Sequence, residues 1–164
     1  MINLAEEWRK LDGRRRTPDS QKHWDERAKS FSFKDTPDAY LQSFISKAGI
    51  TGEESVLDMG CGTGSLAVAL ASMGCSVVAA DFSTGMLDRL RSKAAERGVL
   101  WERGSSGLYS GGSSAGSVKT CPSEIEAGKI LPLRMSWEDD WSNYGVEENS
   151  VDVAVASRSV ITHD

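Results

Sequence analysis

Short runs of apolar residues recur along this chain, each bounded by glycine or polar turn residues. Four such runs lie at 55–58, 75–80, 129–135 and 151–156. Nearly continuous apolar runs of this length are typical of strands buried on both faces, whereas half-exposed strands alternate apolar and polar positions. The pattern therefore predicts four buried strands. The third contains Pro132 and is expected at a sheet edge or a bulge, because proline cannot donate a ladder hydrogen bond.

Between and before these runs, apolar residues recur every three or four positions, which is the period of a helix. Thr36 and Pro37 predict a helix start, and Gly49 predicts its end. A second helix closes at Gly74, and a third is capped by Ser83. The apolar faces of the three predicted helices comprise Tyr40, Leu41, Phe44, Ile45 and Ala48; Leu66, Leu70 and Met73; and Met86, Leu87, Leu90 and Ala94.

The alternation of strands and helices predicts an α/β fold with a mostly parallel, doubly wound sheet covered on both faces. The regular pattern stops at 103–124, a stretch rich in Gly and Ser. Such a segment buries little apolar surface, so we predict a flexible insertion there, either a lid over a site or a tolerated loop. Residues 1–35 are expected to form an N-terminal helical cap segment, and residues 36–164 the α/β domain.

Composition narrows the possible functions. The chain has 164 residues and a net charge of -5, which argues against a nucleic-acid partner because such proteins usually present a basic surface. No apolar run approaches the ~18 residues of a membrane helix, and the N-terminus lacks the layout of a signal peptide. The three cysteines form no C-x-x-C pair and the two histidines are isolated. We therefore expect free thiols, no metal site, no membrane partner and a cytoplasmic protein.

The turn after the first predicted strand carries the candidate chemistry. Gly60, Gly62 and Gly64 allow sharp bending and a close approach to a ligand, and the helix N-terminus that follows attracts anionic groups. A dinucleotide fingerprint requires G-x-G-x-x-G, but Ser65 stands at the last of these positions. Asp58 precedes the turn, where a carboxylate suits a positively charged amino group better than a pyrophosphate. The alternative is that Asp58 caps backbone amides of the turn.

A second acid, Asp81, ends the second predicted strand. It follows Gly60 by twenty-one residues, close to the spacing of about 20 at which an acid accepts hydrogen bonds from ribose hydroxyls. Phe82 comes next and can pack against an adenine ring. An amino acid, a ribose and an adenine together describe S-adenosylmethionine (SAM). Cys61 lies within the turn, and we interpret it as packing rather than as a nucleophile.

These motifs resemble those of class I SAM-dependent methyltransferases. Residues 56–64 are similar to the first motif of that family, and residues 80–87 to its second motif in the form common among small-molecule methyltransferases. Residues 24–28 resemble the N-terminal segment of the same branch. The resemblance implies SAM as the cofactor and a Rossmann-like sheet. It also implies a set of cofactor-binding residues around the first two strands: Asp58, Gly60, Cys61, Gly62, Thr63, Gly64, Asp81, Phe82, Ser83 and Met86.

The resemblance extends to the ends of the third and fourth strands. Ser136 and Trp137 stand where the family contacts adenine, although Ser136 replaces the usual Asp. Ser157 and Arg158 stand where the family lines the methyl-transfer centre. No catalytic residue is assigned, because the family's motifs do not identify a base in this sequence.

The complete sheet of this family has seven strands in the order 3-2-1-4-5-7-6, and this chain supplies the first four. We therefore expect a sheet that is incomplete on its C-terminal side, with an exposed fourth strand that favours self-association. The resemblance implies methyl transfer from SAM to a small-molecule acceptor. Two alternatives stay open: a non-catalytic SAM-binding fragment or assembly module, and a less favoured NAD-binding oxidoreductase.

Overall fold

The structure, a computed structural model, describes residues 20–30, 38–101 and 124–157. The described strands are β1 (Ser55–Met59), β2 (Ser76–Asp81), β3 (Leu100–Trp101), β4 (Lys129–Arg134) and β5 (Val153–Val155). The described helices are α1 (Ser20–Ser30), α2 (Asp38–Ala48), α3 (Ser65–Met73), α4 (Thr84–Glu96) and a 3-10 turn at Trp141–Tyr144. Residues 103–123 of the predicted Gly/Ser-rich insertion (103–124) and most of the predicted cap segment lie outside the described residues.

The five strands form one parallel sheet in the order β3-β4-β2-β1-β5. The α/β, Rossmann-like fold predicted from the sequence is confirmed, and the four predicted strands stand in the predicted relative order. In register, Asp58 of β1 lies between Ala79 of β2 and Val155 of β5, so it is on an interior strand, one residue from the carboxyl end. All strands run in one direction, so their carboxyl ends share one edge, where ligands of open α/β sheets bind.

The expectation that the third predicted strand lies at the sheet edge is wrong. The short strand β3 pairs with Lys129 and Ile130 at the start of β4. Two residues are too few to produce a hydrophobic period, so the sequence did not indicate this strand. Among the described residues, Pro132 lies beyond the stretch of β4 that β3 covers and pairs only with β2, opposite Ala79. That position is compatible with a residue that lacks a backbone N–H.

Alternate residues of the central strands point to opposite faces of the sheet. Val56, Val77 and Ile130 face a core cluster that also contains apolar side chains of α2, α3 and α4. Leu57 and Val78 face a second cluster, which is closed in the described chain by Ile125, Val146 and partly buried residues of the 3-10 turn. Among the described residues, this second face is covered by irregular segments and the 3-10 turn, whereas a doubly wound sheet predicts helices there.

The predicted helices form, with small differences at their ends. In α2, Leu41 and Ile45 are buried but Ala48 is exposed. In α3, Met73 was predicted on the buried face, yet it is 42% exposed because it is the last residue of the helix. None of the helices described within 20–30, 38–101 and 124–157 is long and apolar enough to cross a membrane.

Candidate functional site

The glycine turn folds tightly over the carboxyl end of β2. The backbone N–H groups of Gly60 and Cys61 both donate to the carbonyl oxygen of Ala80, at 2.8 and 3.0 Å, and the N–H of Gly64 donates to the Cys61 carbonyl at 2.9 Å. Gly60, Gly62 and Gly64 have φ values of 68°, 54° and 77°. This left-handed conformation is strained for residues with a side chain, so the turn needs glycine at these positions.

A cavity of about 240 Å³ lies beside this turn. It is bordered by the carboxyl ends of β1, β2, β4 and β5, by the N-terminal halves of α2, α3 and α4, and by one residue of α1. Its lining residues are Trp24, Leu41, Asp58, Gly60, Cys61, Gly62, Thr63, Ser65, Leu66, Asp81, Phe82, Met86, Met135, Trp137 and Ser157.

Asp58 is the most unusual residue of this cavity. Its side chain is 1% exposed, and neither carboxylate oxygen has a hydrogen-bond partner among the described residues. Burial, followed by the charge of Asp81, raises the pKa of Asp58 to about 7. The nearby backbone N–H of Ala67, whose geometry falls short of a hydrogen bond, offsets this only partly. A buried polar atom without a partner is destabilising and calls for an explanation. A cationic ligand in the cavity would supply both the missing charge and the missing donors. Neither oxygen accepts a hydrogen bond from an amide of the glycine turn in the described chain, so the alternative in which Asp58 caps these amides gains no support.

Asp81 is held rigidly at the end of β2. One carboxylate oxygen accepts from the N–H of Gly62 and the other from the N–H of Ser83, both at 2.9 Å. Burial raises the pKa of Asp81, the charge of Asp25 adds to this, and the hydrogen bonds from Ser83 and Gly62 act in the opposite direction. Each oxygen retains a further lone pair, so the same carboxylate can accept ligand hydroxyls while it fixes the turn.

Three residues predicted to bind cofactor do not line the cavity, namely Gly64, Ser83 and Ser136. Gly64 faces the interior, where an added Cβ would overlap Leu90 Cδ1 and lie 2.9 Å from Leu90 Cγ. Ser83 is the N-cap of α4, and its hydroxyl oxygen accepts from the Met86 N–H. The N–H of Ser136 donates to Asp139 Oδ2 at 2.8 Å. Arg158 lies outside the described residues.

Five lining residues were not predicted from the sequence as ligand contacts: Trp24, Leu41, Ser65, Leu66 and Met135. Leu41 and Leu66 were predicted on apolar helix faces, and their periodicity does not distinguish a cavity wall from a core. Trp24 lies in the segment 24–28 that resembles the methyltransferase family, which was the available signal. The aromatic rings of Trp24, Phe82 and Trp137 give the cavity flat surfaces against which an adenine can stack.

Cys61 is predicted to be chemically inert. Burial, followed by the charges of Asp81 and Asp58, raises the pKa of its thiol well above its ordinary value, so the nucleophilic thiolate is scarce at neutral pH. We expect Cys61→Ala to change ligand affinity by less than about twofold. Mass spectrometry after iodoacetamide treatment at pH 7.5 should find Cys61 labelled far more slowly in the folded protein than in urea. Equal labelling rates would contradict the prediction.

Comparison with known proteins gives the context of this site. Residues 56–107 match a family model described as a methyltransferase domain. An uncharacterized protein of Haemophilus influenzae is 30% identical over 128 residues, which are 78% of this chain and 36% of that protein. A putative methyltransferase of a Geobacillus species is 34% identical over 86 residues, covering 52% of this chain and 35% of the relative. The chain thus spans about a third of the length of these curated relatives.

A solved structure shares the fold. It is that of a putative SAM-dependent methyltransferase of Methanococcus maripaludis, with a TM-score of 0.54 and 20% sequence identity. The match covers 88% of this chain and 52% of that one. The sheet and its glycine turn therefore have the architecture of class I methyltransferases, and residues 56–107 match the methyltransferase-domain sequence pattern.

Proposed function

We propose that this chain, which carries the methyltransferase-domain match and the class I fold, binds SAM and transfers its methyl group to a small-molecule acceptor. One observation carries the proposal. The carboxylate of Asp58 is buried beside the cavity and forms no hydrogen bond with the described residues, and SAM brings an ammonium and a sulfonium group that would compensate its charge. A pyrophosphate at the same position would place negative charge against a buried acid, which disfavours the NAD alternative.

The remaining cavity residues fit the other parts of SAM. Helix α3 begins at Ser65, directly after the glycine turn, and its N-terminal N–H groups and dipole favour a carboxylate. Asp81 has lone pairs available for the ribose hydroxyls. Phe82 and Trp137 offer ring faces for adenine, and Trp137 is itself supported by Trp141, with ring centroids 6.2 Å apart.

Methyl transfer from SAM does not require a side chain of the protein to form a covalent bond. SAM, when bound, supplies a methyl group on a sulfonium that is already a good leaving group. The chain's own residues then contribute binding, orientation and the exclusion of water, which hold donor and acceptor at reaction distance. Ser157 lines the cavity beyond β5, and its hydroxyl lies 2.9 Å from the Tyr40 hydroxyl, so polar groups are available to orient an acceptor there.

Equilibrium titration of the purified protein with SAM, S-adenosylhomocysteine and NAD tests the proposal. We expect both SAM and S-adenosylhomocysteine to bind and NAD not to compete. NAD binding without SAM binding would contradict the proposal and favour the oxidoreductase. Transfer of a labelled methyl group to a panel of small acceptors separates an enzyme from the second alternative, a SAM-binding module without activity.

Asp81→Ala is expected to weaken SAM binding at least about tenfold, or roughly 1.4 kcal/mol. The substitution removes the proposed ribose acceptor and releases the N–H groups of Gly62 and Ser83, which the carboxylate holds at 2.9 Å. Calorimetric titration gives the affinity, and a thermal melt separates loss of binding from loss of fold. An unchanged affinity would show that Asp81 does not contribute to SAM binding. The exposed Asp88 on α4 provides the matched control, since Asp88→Ala should leave the affinity unchanged.

A further inference from the structure

The carboxylate of Asp25 hydrogen-bonds helix α1 (Ser20–Ser30) to the N-terminus of α4. Asp25 Oδ1 accepts from the Ser83 hydroxyl at 2.6 Å and from the Gly85 N–H at 3.0 Å. The two helices approach so closely that a Cβ on Gly85 would lie 3.0 Å from Ala28 Cβ and 3.3 Å from Asp25 Cα. An acid accepting N–H groups at a helix N-terminus is also favoured by the helix dipole.

Two further polar contacts join α1 to α4 and β4 nearer its ends. The Lys29 carbonyl accepts from Arg89 of α4 at 2.9 Å, and Gln21 Oε1 accepts from Arg134 at the end of β4 at 3.2 Å. Both donors are long, flexible side chains, which lose conformational freedom when they are held. Asp25 instead joins α1 to the backbone and to the buried N-cap of α4, so it fixes the middle of the helix.

Docking of α1 brings Trp24 to the cavity, of which its side chain is a lining residue. The guanidinium of Arg27 lies 5.4 Å from the centre of the indole ring, which supports the ring from within the same helix. Asp25 is also linked to Asp81, the proposed ribose acceptor, through Ser83. The Ser83 hydroxyl donates to Asp25, and the Ser83 N–H donates to Asp81. One serine therefore connects the docked helix with the proposed ribose acceptor.

We propose that Asp25 is a positioning residue that docks α1 on α4, holds Trp24 as a wall of the cavity, and thereby couples docking of α1 to SAM binding. The coupling rests on the proposed function, whereas the docking does not. Coupling is reciprocal: if docked α1 strengthens SAM binding, then SAM stabilises docked α1 by the same factor.

Asp25→Ala, Asp25→Asn and Glu26→Ala test the proposal in the full chain. Asparagine retains an oxygen that can accept from Ser83 and Gly85, whereas alanine does not. Glu26 is the matched control, because it is an acid on the same helix whose side chain is 61% exposed and pairs with Lys29, three residues on, at 2.6 Å. Calorimetric titration measures SAM affinity, and hydrogen–deuterium exchange measures protection of the α1 amides with and without SAM.

In Asp25→Ala we expect SAM to bind about tenfold more weakly and the α1 amides to exchange about tenfold faster, while protection of the sheet is unchanged. Asp25→Asn should recover most of the affinity and protection, and Glu26→Ala should match the wild type. In the wild type, SAM should slow exchange of α1. Wild-type affinity and α1 protection in Asp25→Ala would overturn the proposal, as would a loss of affinity with α1 protection unchanged.

Gly85→Ala provides a second test that leaves Asp25 in place. Alanine is the better helix former, so this substitution favours α4 itself, but its Cβ would press on Ala28 and Asp25. We expect faster α1 exchange and weaker SAM binding without a lower melting temperature of the domain. Unchanged exchange and affinity would contradict the close docking. If the wild type fails to bind SAM, the proposed function fails, whereas exchange in the ligand-free variants still decides whether Asp25 docks α1.

Discussion

Replacing Asp58 by Asn is expected to weaken SAM binding about 100-fold, roughly 2.7 kcal/mol, while making the ligand-free protein more stable at pH 8. The two effects have one cause. The carboxylate is buried without a hydrogen-bond partner among the described residues, so its charge is unfavourable until a cation arrives. Asparagine removes that charge from the empty site and removes the counter-charge from the complex. Calorimetric titration and urea unfolding measure the two changes separately.

The pH dependence follows from the sign of the pKa shift. The pKa of Asp58 rises from 3.8 to about 7 on folding, so the folded state binds a proton that the unfolded state releases at lower pH. The associated stabilisation is present below pH 3.8 and is lost as the pH rises to about 7. Stability of the ligand-free protein should therefore fall across this window in the wild type and fall less in Asp58→Asn. SAM affinity should rise with pH over its upper part and level off above about 7.

Asp152 is the matched control for this substitution. It lies just before β5, it is exposed, and its carboxylate accepts from the N–H and hydroxyl of Ser55 at 2.8 and 2.6 Å. These hydrogen bonds lower the pKa of Asp152. Asp152→Asn should therefore reduce stability above the pKa of the group and leave SAM affinity unchanged. Equal SAM affinities of the wild type and Asp58→Asn would contradict the proposed role of Asp58.

The second large effect is expected at Gly64. Gly64→Ala should lower the free energy of unfolding by about 3 kcal/mol, because overpacking a core and forcing a side chain into a left-handed conformation each cost about 1–3 kcal/mol. The new Cβ would overlap the buried side chain of Leu90. Chemical unfolding monitored by circular dichroism measures the change. A stability within 1 kcal/mol of the wild type would show that Leu90 can move aside.

Gly62→Ala is the matched control for Gly64→Ala, because the two substitutions are chemically identical within one turn. A Cβ on Gly62 would meet no atom within 4 Å, and the residue lines the cavity. Its φ of 54° implies a backbone penalty of about 1 kcal/mol. We therefore expect a modest loss of stability together with at least about tenfold weaker SAM binding. The reverse order of effects would contradict the assignment of Gly62 to the ligand and Gly64 to the core.

The sequence was informative where function depends on local spacing. Asp58 and Asp81 lie at the carboxyl ends of strands that the hydrophobic pattern reveals, Gly62 follows the first of them, and parallel strands bring these ends to one edge of the sheet. The sequence did not indicate why position 64 requires glycine, because a turn motif does not reveal that Leu90 packs against Gly64. The unpartnered state of Asp58 was equally invisible, because it depends on which donors the surrounding chain fails to supply.

Long-range contacts explain most of the other differences. Asp25 meets Ser83 across 58 residues of sequence, and no periodicity relates the two positions. Strand β3 has only two residues, and its pairing with β4 is a property of the assembled sheet. The irregular cover of the second sheet face was also missed, because Ile125 and Val146 are single apolar residues within polar segments.

The tight packing of the glycine turn has a thermodynamic consequence for ligand capture. Its amides are tied to Ala80, its last glycine is locked against Leu90, and its middle glycine is held by Asp81. The turn therefore loses its conformational entropy when the protein folds. Because it is already ordered, binding of a ligand there requires little further loss of backbone entropy. Helix α1 lines the same cavity, and its described hydrogen bonds with α4 and β4 run through the side chains of Asp25, Arg89 and Gln21, so we expect binding to order α1 further.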